Sequence, residues 1–162
     1  MPVTLTVNNI PFEYPVSGDS PGWGAGATDW AIEVTDVLGG LVGPNDLIQT
    51  TVTIANNQTI PRNIVGLSLN TGQVRSAIIE YSVYRTSTAT PSGDSESGTM
   101  VATYDNLAGT GSKWSLIITD INGYAGINFT ILDSGQIQYT TNDINSIGYS
   151  GNMHFRARAL NQ

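Results

Sequence analysis

The stretch VRSAIIEYSVYRT, Val74 to Thr86, is the longest run in the chain that reads as one uninterrupted β-strand. Ala77, Ile79, Tyr81 and Val83 alternate with Ser76, Ile78, Glu80, Ser82 and Tyr84, and the run is crowded with the β-branched and aromatic types that suit a pleated surface. Consecutive strand side chains point to opposite faces, so the first set can line a core while the second meets water or a partner. Ile78 and Tyr84 make that second face more apolar than a wet surface requires. The pattern therefore predicts that it is covered, by an N-terminal helix of the same subunit or by a neighbouring copy. Arg75 and Arg85 flank the core-facing set near the strand ends.

The rest of the chain supplies partners for such a strand. Thr50 to Ala55, Val65 to Leu69, Met100 to Tyr104, Trp114 to Thr119, Ile127 to Ile131, the segment beginning at Ile137 and Tyr139, and Met153 to Leu160 all alternate or run apolar between turn signals. Asn122-Gly123 reads as a tight turn and Asp133-Ser134-Gly135 as another. Ser87 to Gly98, STATPSGDSESG, has the lowest complexity and reads as a mobile loop or long hairpin tip. From Thr50 onward this makes about seven or eight strands at hairpin-like spacing with no helical crossover. The expected fold is all-β, an antiparallel, jelly-roll-like sandwich.

Residues 1–45 read differently. Val3, Leu5 and Val7 alternate, and Ile10 to Val16 is a second extended piece bracketed by Pro11 and Pro15, together a small β-arm. After a glycine-rich stretch, Trp30, Ala31, Val34, Val37, Leu38 and Leu41 recur at three- and four-residue spacings opposite Asp29, Glu33 and Asp36. This predicts one short amphipathic helix at about Ala27 to Leu38, stopped by Gly39-Gly40. The expected organisation is a 1–45 attachment or oligomerisation segment and a 46–162 sandwich domain.

Composition narrows the function. Only 12% of residues are charged, about half the usual share, as suits a turn-rich β protein or one whose surface is covered in an assembly. The net charge is −7, and the six basic residues, Arg62, Arg75, Arg85, Lys113, Arg156 and Arg158, form no run, which argues against nucleic acid as partner. There is no cysteine, so disulfides and thiolate metal sites are excluded. The N-terminus lacks the pattern of a secretory signal and no window is apolar enough to span a membrane, so synthesis in the cytoplasm without membrane insertion is expected.

The catalytic inventory is thin. The single histidine, His154, falls on the polar face of the last strand, where solvent exposure is the plain reading. Asp105, Asp120, Asp133 and Asp143 could pair as glycosidase carboxylates, but all sit in turn contexts where Asp bonds nearby backbone. Asp94 and Glu96 lie in the low-complexity segment without calcium-loop spacing. Gly22, Gly24 and Gly26 are not followed by the residues of a phosphate cradle. No enzyme activity, catalytic residue, metal or cofactor is expected.

The block FEYPVSGDSPGWGAGATDWAIEVTDVL (Phe12 to Leu38), and with it LVGPNDLIQTTVTIANNQT, VRSAIIEYSVYRT, SGQIQYTT and YSGNMHFRARAL, resembles segments of tailed-bacteriophage virion proteins. The resemblance implies an oligomeric, β-rich module of the capsid-decoration, head-fibre or tail-fibre kind, located on the virion. Its expected partners are itself, as a homotrimer, and the major capsid protein or other virion proteins. In the leading expectation it decorates or reinforces the capsid without chemistry, and Phe12, Tyr14, Trp23, Trp30 and Leu38 make the subunit or capsid attachment. The alternative is a fibre adhesin that binds host surface carbohydrate through Tyr124 and Tyr149, which lie in glycine-rich connections.

Overall fold

The computed structural model describes residues 3–7, 10–14, 30–32, 34, 43, 45–88 and 90–161. The chain divides into two compact units, Met1–Pro44 and Asn45–Gln162. In the first, β1 (Val3–Val7) pairs antiparallel with β2 (Ile10–Tyr14), with Leu5 opposite Phe12. Pro11 lies opposite Thr6 in a two-stranded ribbon whose strands are both edges, the setting in which a strand tolerates proline. Trp30, Ala31, Ile32 and Val34 are helical, within the span expected for the amphipathic helix. The remainder of that span, Leu38 included, and Trp23 lie outside the described residues.

The second unit is an antiparallel β-sandwich of eight strands: β3 (Leu47–Thr53), β4 (Arg62–Ser68), β5 (Val74–Ser87), β6 (Thr90–Tyr104), β7 (Trp114–Gly123), β8 (Ile127–Ile131), β9 (Gln136–Thr141) and β10 (Ser150–Asn161). One sheet has the order β3-β10-β5-β6-β7 and the other β4-β9-β8. The first two strands pair with the last two, β3 with β10 and β4 with β9, so the two ends of the unit meet in both sheets. Between them β5, β6 and β7 form a continuous meander.

The core lies between the sheets. Ile79, Tyr81, Val83, Met100, Met153 and Phe155 face Ile64, Leu67, Ile127, Phe129, Ile137 and Tyr139 in one buried cluster. The Tyr81 ring meets Phe129 edge to face at 5.1 Å between centroids. A second cluster, Leu69, Val74, Ala77, Ala102 and Trp114, fills the other end of the sandwich. Each fully buried aliphatic or aromatic side chain contributes about 1.5–3 kcal/mol relative to exposure, which ties the faces together. The strand that dominates the sequence pattern, β5, is the middle strand of the larger sheet and takes its core-facing residues from the predicted set.

Two local expectations are corrected in part or whole. Of the two readings of Ser87 to Gly98 the long hairpin holds and the loop does not: β5 turns into β6, with Ser87 opposite Thr90 and Tyr81 opposite Gly98. The long, well-patterned β5 supplies a template that overrides the weak strand propensity of these residues. Asn122-Gly123 does not close a hairpin, because β7 runs on to Gly123 opposite Glu96, and β8 then begins in the other sheet. Arg75 and Arg85, at the two ends of β5, face opposite ways. The ladder shifts register between Leu160 and Asn161, which turns Arg75 to solvent while Arg85 stays in phase with the core.

Candidate functional site

The most distinctive side chain of the core is Arg85, which is fully buried. Its position in phase with Tyr81 and Val83 carries it inward at the end of β5, beyond the apolar core. There the guanidinium meets connections rather than strands. Nη1 donates to the carbonyl oxygens of Ala125 and Gly126 and to Asn142 Oδ1, and Nη2 donates to Asn56 Oδ1 (2.9 Å) and Asn142 O (2.6 Å). Nε donates to the Tyr149 hydroxyl at 3.3 Å, and the guanidinium carbon lies 5.8 Å from the Tyr149 ring centre. One planar donor fork thus gathers the β3–β4, β7–β8 and β9–β10 connections at one end of the sandwich.

Glu96 complements it from β6. Its carboxylate accepts the Tyr81 hydroxyl at 2.8 Å and the Ala125 amide at 3.0 Å, so Ala125 is held by Glu96 through its N–H and by Arg85 through its C=O. Gly98, opposite Tyr81, leaves room for the ring to lie along the strand and reach Glu96. Burial, then the bond to Glu96, raise the Tyr81 phenol well above its ordinary value. Glu96 falls in the low-complexity segment of the sequence, yet it is in phase with Met100 and Ala102 on β6, and that parity is the signal of its inward direction.

The second feature is the outer face of the larger sheet. Across it run cross-strand rows set by the register. One contains Arg158, Ile78, Val101 and Ile117, and the next Arg156, Glu80 and Thr99. Beyond these come His154, Ser82, Ser97 and Asn122, then Asn152, Tyr84 and Ser95. Ile78 is 52% exposed, Ile117 60% and Tyr84 48%. The Arg156–Glu80 ion pair, in which Arg156 Nε donates, lies between an apolar half and a half made of hydroxyls, amides and His154. That bond, and the charges of Arg156 and Arg158, lower the Glu80 pKa from the ordinary carboxylate value.

The residues singled out from sequence separate. Ile78 and Tyr84 share this outer face, and within the described residues they remain exposed. Trp30 is half-buried. Phe12 and Tyr14 pair with Leu5 and Val3 in the β-arm. Tyr124 is 68% exposed beside Gly123, its amide donating to Ser95 O at 2.8 Å. Tyr149 is half-buried, with its hydroxyl donating to Ile54 O and accepting from Arg85, so that hydroxyl is committed to the fold. Sequence reading did not single out Val101, Ile117, Ser95 or Ser97, because membership of one face across three strands depends on register.

The carboxylates and the histidine have local partners. Asp105 accepts the Leu107 amide, Asp133 the Gly111 and Lys113 amides, and Asp143 the Asn145 amide and the Asn56 side chain. The backbone bonds lower the Asp133 pKa. His154 Nδ1 lies 2.8 Å from Thr51 Oγ1 on the outer face. Among the described residues no three His, Asp or Glu side chains gather where they could hold a metal ion, and no helix is long and apolar enough to cross a membrane.

No protein-family model matches the chain, and neither does any curated protein. Among solved structures it is similar to the crystal structure of the tailspike protein of Acinetobacter phage vB_ApiP_P1, at 11% identity with a TM-score of 0.40. That similarity covers 69% of this chain, which spans 22% of the tailspike's length.

Proposed function

We propose that the chain is a structural module of a phage virion that assembles with copies of itself, as a homotrimer, through the apolar half of its outer sheet face. It acts by burying surface and turns over no substrate. The observation that carries this reading is the row Ile78, Val101 and Ile117, which crosses three adjacent strands of the larger sheet with its two isoleucines more than half exposed. The low charge content supports it, since charged residues are depleted where subunits meet. The occupant we assign is a second copy: a threefold assembly sets each face against a neighbour of the same charge-poor chemistry. The virion setting rests on the resemblance of the Phe12 to Leu38 block and of the sandwich segments to phage virion proteins. Within that setting the resemblance allows both capsid decoration and a fibre- or tail-associated position, and the assembly reading is the same for either.

The test is light scattering and native mass spectrometry of the purified protein beside Ile78→Asp and Ile117→Asp, with a density map of the particle. The expected result is a wild-type trimer, folded variants shifted to monomer, and the protein present in purified virions. A wild-type monomer at high concentration, together with absence from virions, overturns the proposal.

A further inference from the structure

The pair Asn122-Gly123, which the sequence marks as a turn, is instead the end of β7, an edge strand of the larger sheet. It is the one place in the chain where asparagine precedes glycine. Asn122 is exposed and lies opposite Ser97 on the outer face, and Ser97 lies opposite Ser82. Ser82, Ser95, Glu96, Ser97, Asn122 and Gly123 line a pocket of 200 Å³ there. The Glu96 side chain points the other way, into the core, where Tyr81 and Ala125 satisfy it. The outward groups are therefore neutral, and among the described residues none of them bonds the Asn122 side chain.

The nitrogen of Gly123 is equally uncommitted. The Tyr124 amide beyond it donates to Ser95 O at 2.8 Å. Bonded and non-bonded pairs alternate along an antiparallel ladder, so Gly123 and Glu96 form a non-bonded pair. The Gly123 N–H consequently points away from β6, to the open side of β7, and meets no acceptor among the described residues. What keeps this nitrogen from the Asn122 side chain is the extended backbone, held by the ladder between Asn122 and Ser97. That hold is the last of a strand supported from one side, just past a register shift between Ser97 and Thr99 where Asp120 has φ 53°. Opening such a strand end costs far less than global unfolding.

Other asparagines lack this combination. Asn145 precedes the small Ser146, but its side chain accepts the Ile147 amide at 3.0 Å. Asn56 and Asn142 are engaged by Arg85.

We propose that Asn122 is a deamidation site of the folded protein, and that the reaction writes a negative charge into the polar half of the outer face. Solvent base takes the Gly123 amide proton and the nitrogen attacks Asn122 Cγ, unobstructed by a Cβ on the glycine. The side-chain nitrogen takes up a proton and leaves as ammonia, and a cyclic succinimide remains. Water then opens the ring at either carbonyl, giving aspartate or isoaspartate. The net change is one water consumed and one ammonia released, with no oxidant or cofactor. Either product sets a carboxylate beside the Ser82 and Ser97 hydroxyls, which can donate to it. The site goes beyond the assembly reading and does not depend on it.

The experiment holds the purified full chain in mildly alkaline buffer at body temperature for several weeks, folded in one arm and in urea in the other. Ion exchange follows the charge, and fragment masses of the digested protein distinguish asparagine, aspartate and isoaspartate at each position. The folded protein is expected to convert Asn122 ahead of Asn145, gaining one negative charge per molecule. Asn122→Gln, whose longer side chain closes a larger ring, is expected to lose this first conversion. Asn122 left intact in the folded arm, whether or not the urea arm converts it, or Asn145 converting first, overturns the proposal.

Discussion

Replacing Arg85 by methionine keeps most of the side-chain volume and removes every donor. In the wild type the guanidinium supplies hydrogen bonds to Ala125 O, Gly126 O, Asn142 O, Asn142 Oδ1, Asn56 Oδ1 and the Tyr149 hydroxyl. The consequences differ by acceptor. Asn142 is exposed and Asn56 half-buried, so their side chains can turn to water, and the Tyr149 hydroxyl keeps its bond to Ile54 O. Ala125 is fully buried and its carbonyl has no such escape. A stranded buried acceptor costs about 1–3 kcal/mol. Because several acceptors on three connections are released together, we expect Arg85→Met to destabilise by about 2–3 kcal/mol, or roughly 5–15 °C in melting temperature for a unit of this size.

Arg85→Lys should recover only part of the loss, because one ammonium cannot span acceptors on three connections. Urea unfolding gives the totals. Hydrogen exchange locates them, with the Asn142 amide (bonded to Gly126 O) and the Asn57 amide (bonded to Asn142 O) losing protection first. A methionine variant within about 1 kcal/mol of wild type, with these amides still protected, refutes the reasoning that the fork holds this end of the sandwich together.

Tyr81 should resist ionisation in an ultraviolet pH titration. Its folded pKa is raised by burial and by donation to Glu96, so the stability it contributes is fully present below the ordinary phenol value and is lost as pH climbs through the higher folded one. All tyrosines titrating together near the ordinary value before unfolding contradicts this. Asp133 should show the opposite sign. Accepting the Gly111 and Lys113 amides depresses its pKa, so its contribution is present above the ordinary carboxylate value and disappears as pH falls through the lower folded one. A carbon-13 titration of its carboxyl checks this, and a midpoint at or above the ordinary value refutes it. Gly123→Ala should destabilise by more than about 2 kcal/mol in urea unfolding, because the position has φ 84° and an added Cβ would collide with the Ser95 carbonyl oxygen. Near-neutral behaviour would show that this crossing is not held as described.

The strands were legible where alternation was strong. Val74 to Thr86, Trp114 to Thr119 and Met153 to Leu160 state their inward faces in the order of their own residues, because a period of two is a local property of an extended chain. Asp105 and Asp143 were legible as turn residues for the same reason, since each accepts an amide two residues on, whereas the Asp133 carboxylate reaches the Gly111 and Lys113 amides of the β6–β7 connection, which turn chemistry does not reveal.

Thr90 to Gly98 was not legible, since its strand character is borrowed from β5 across the ladder. Nor were the buried roles of Arg85 and Glu96. Their parity with the core was visible, but a charged residue on a core face has meaning only when its partners are known, and Ala125, Asn142 and Asn56 come from distant connections. The same limit applies to the outer face. Ile78 and Tyr84 marked one strand as unusual, yet the row with Val101 and Ile117, and the pocket of Ser82, Ser95, Ser97 and Asn122, exist only through strand order and register. By itself, then, the sequence determined the all-β class, most strand positions and the faces of the strongest strands, which are set residue by residue. Tertiary structure alone decided which strands are neighbours, and with that where buried charges find partners and which exposed residues form one surface, because those depend on contacts between segments far apart in the chain.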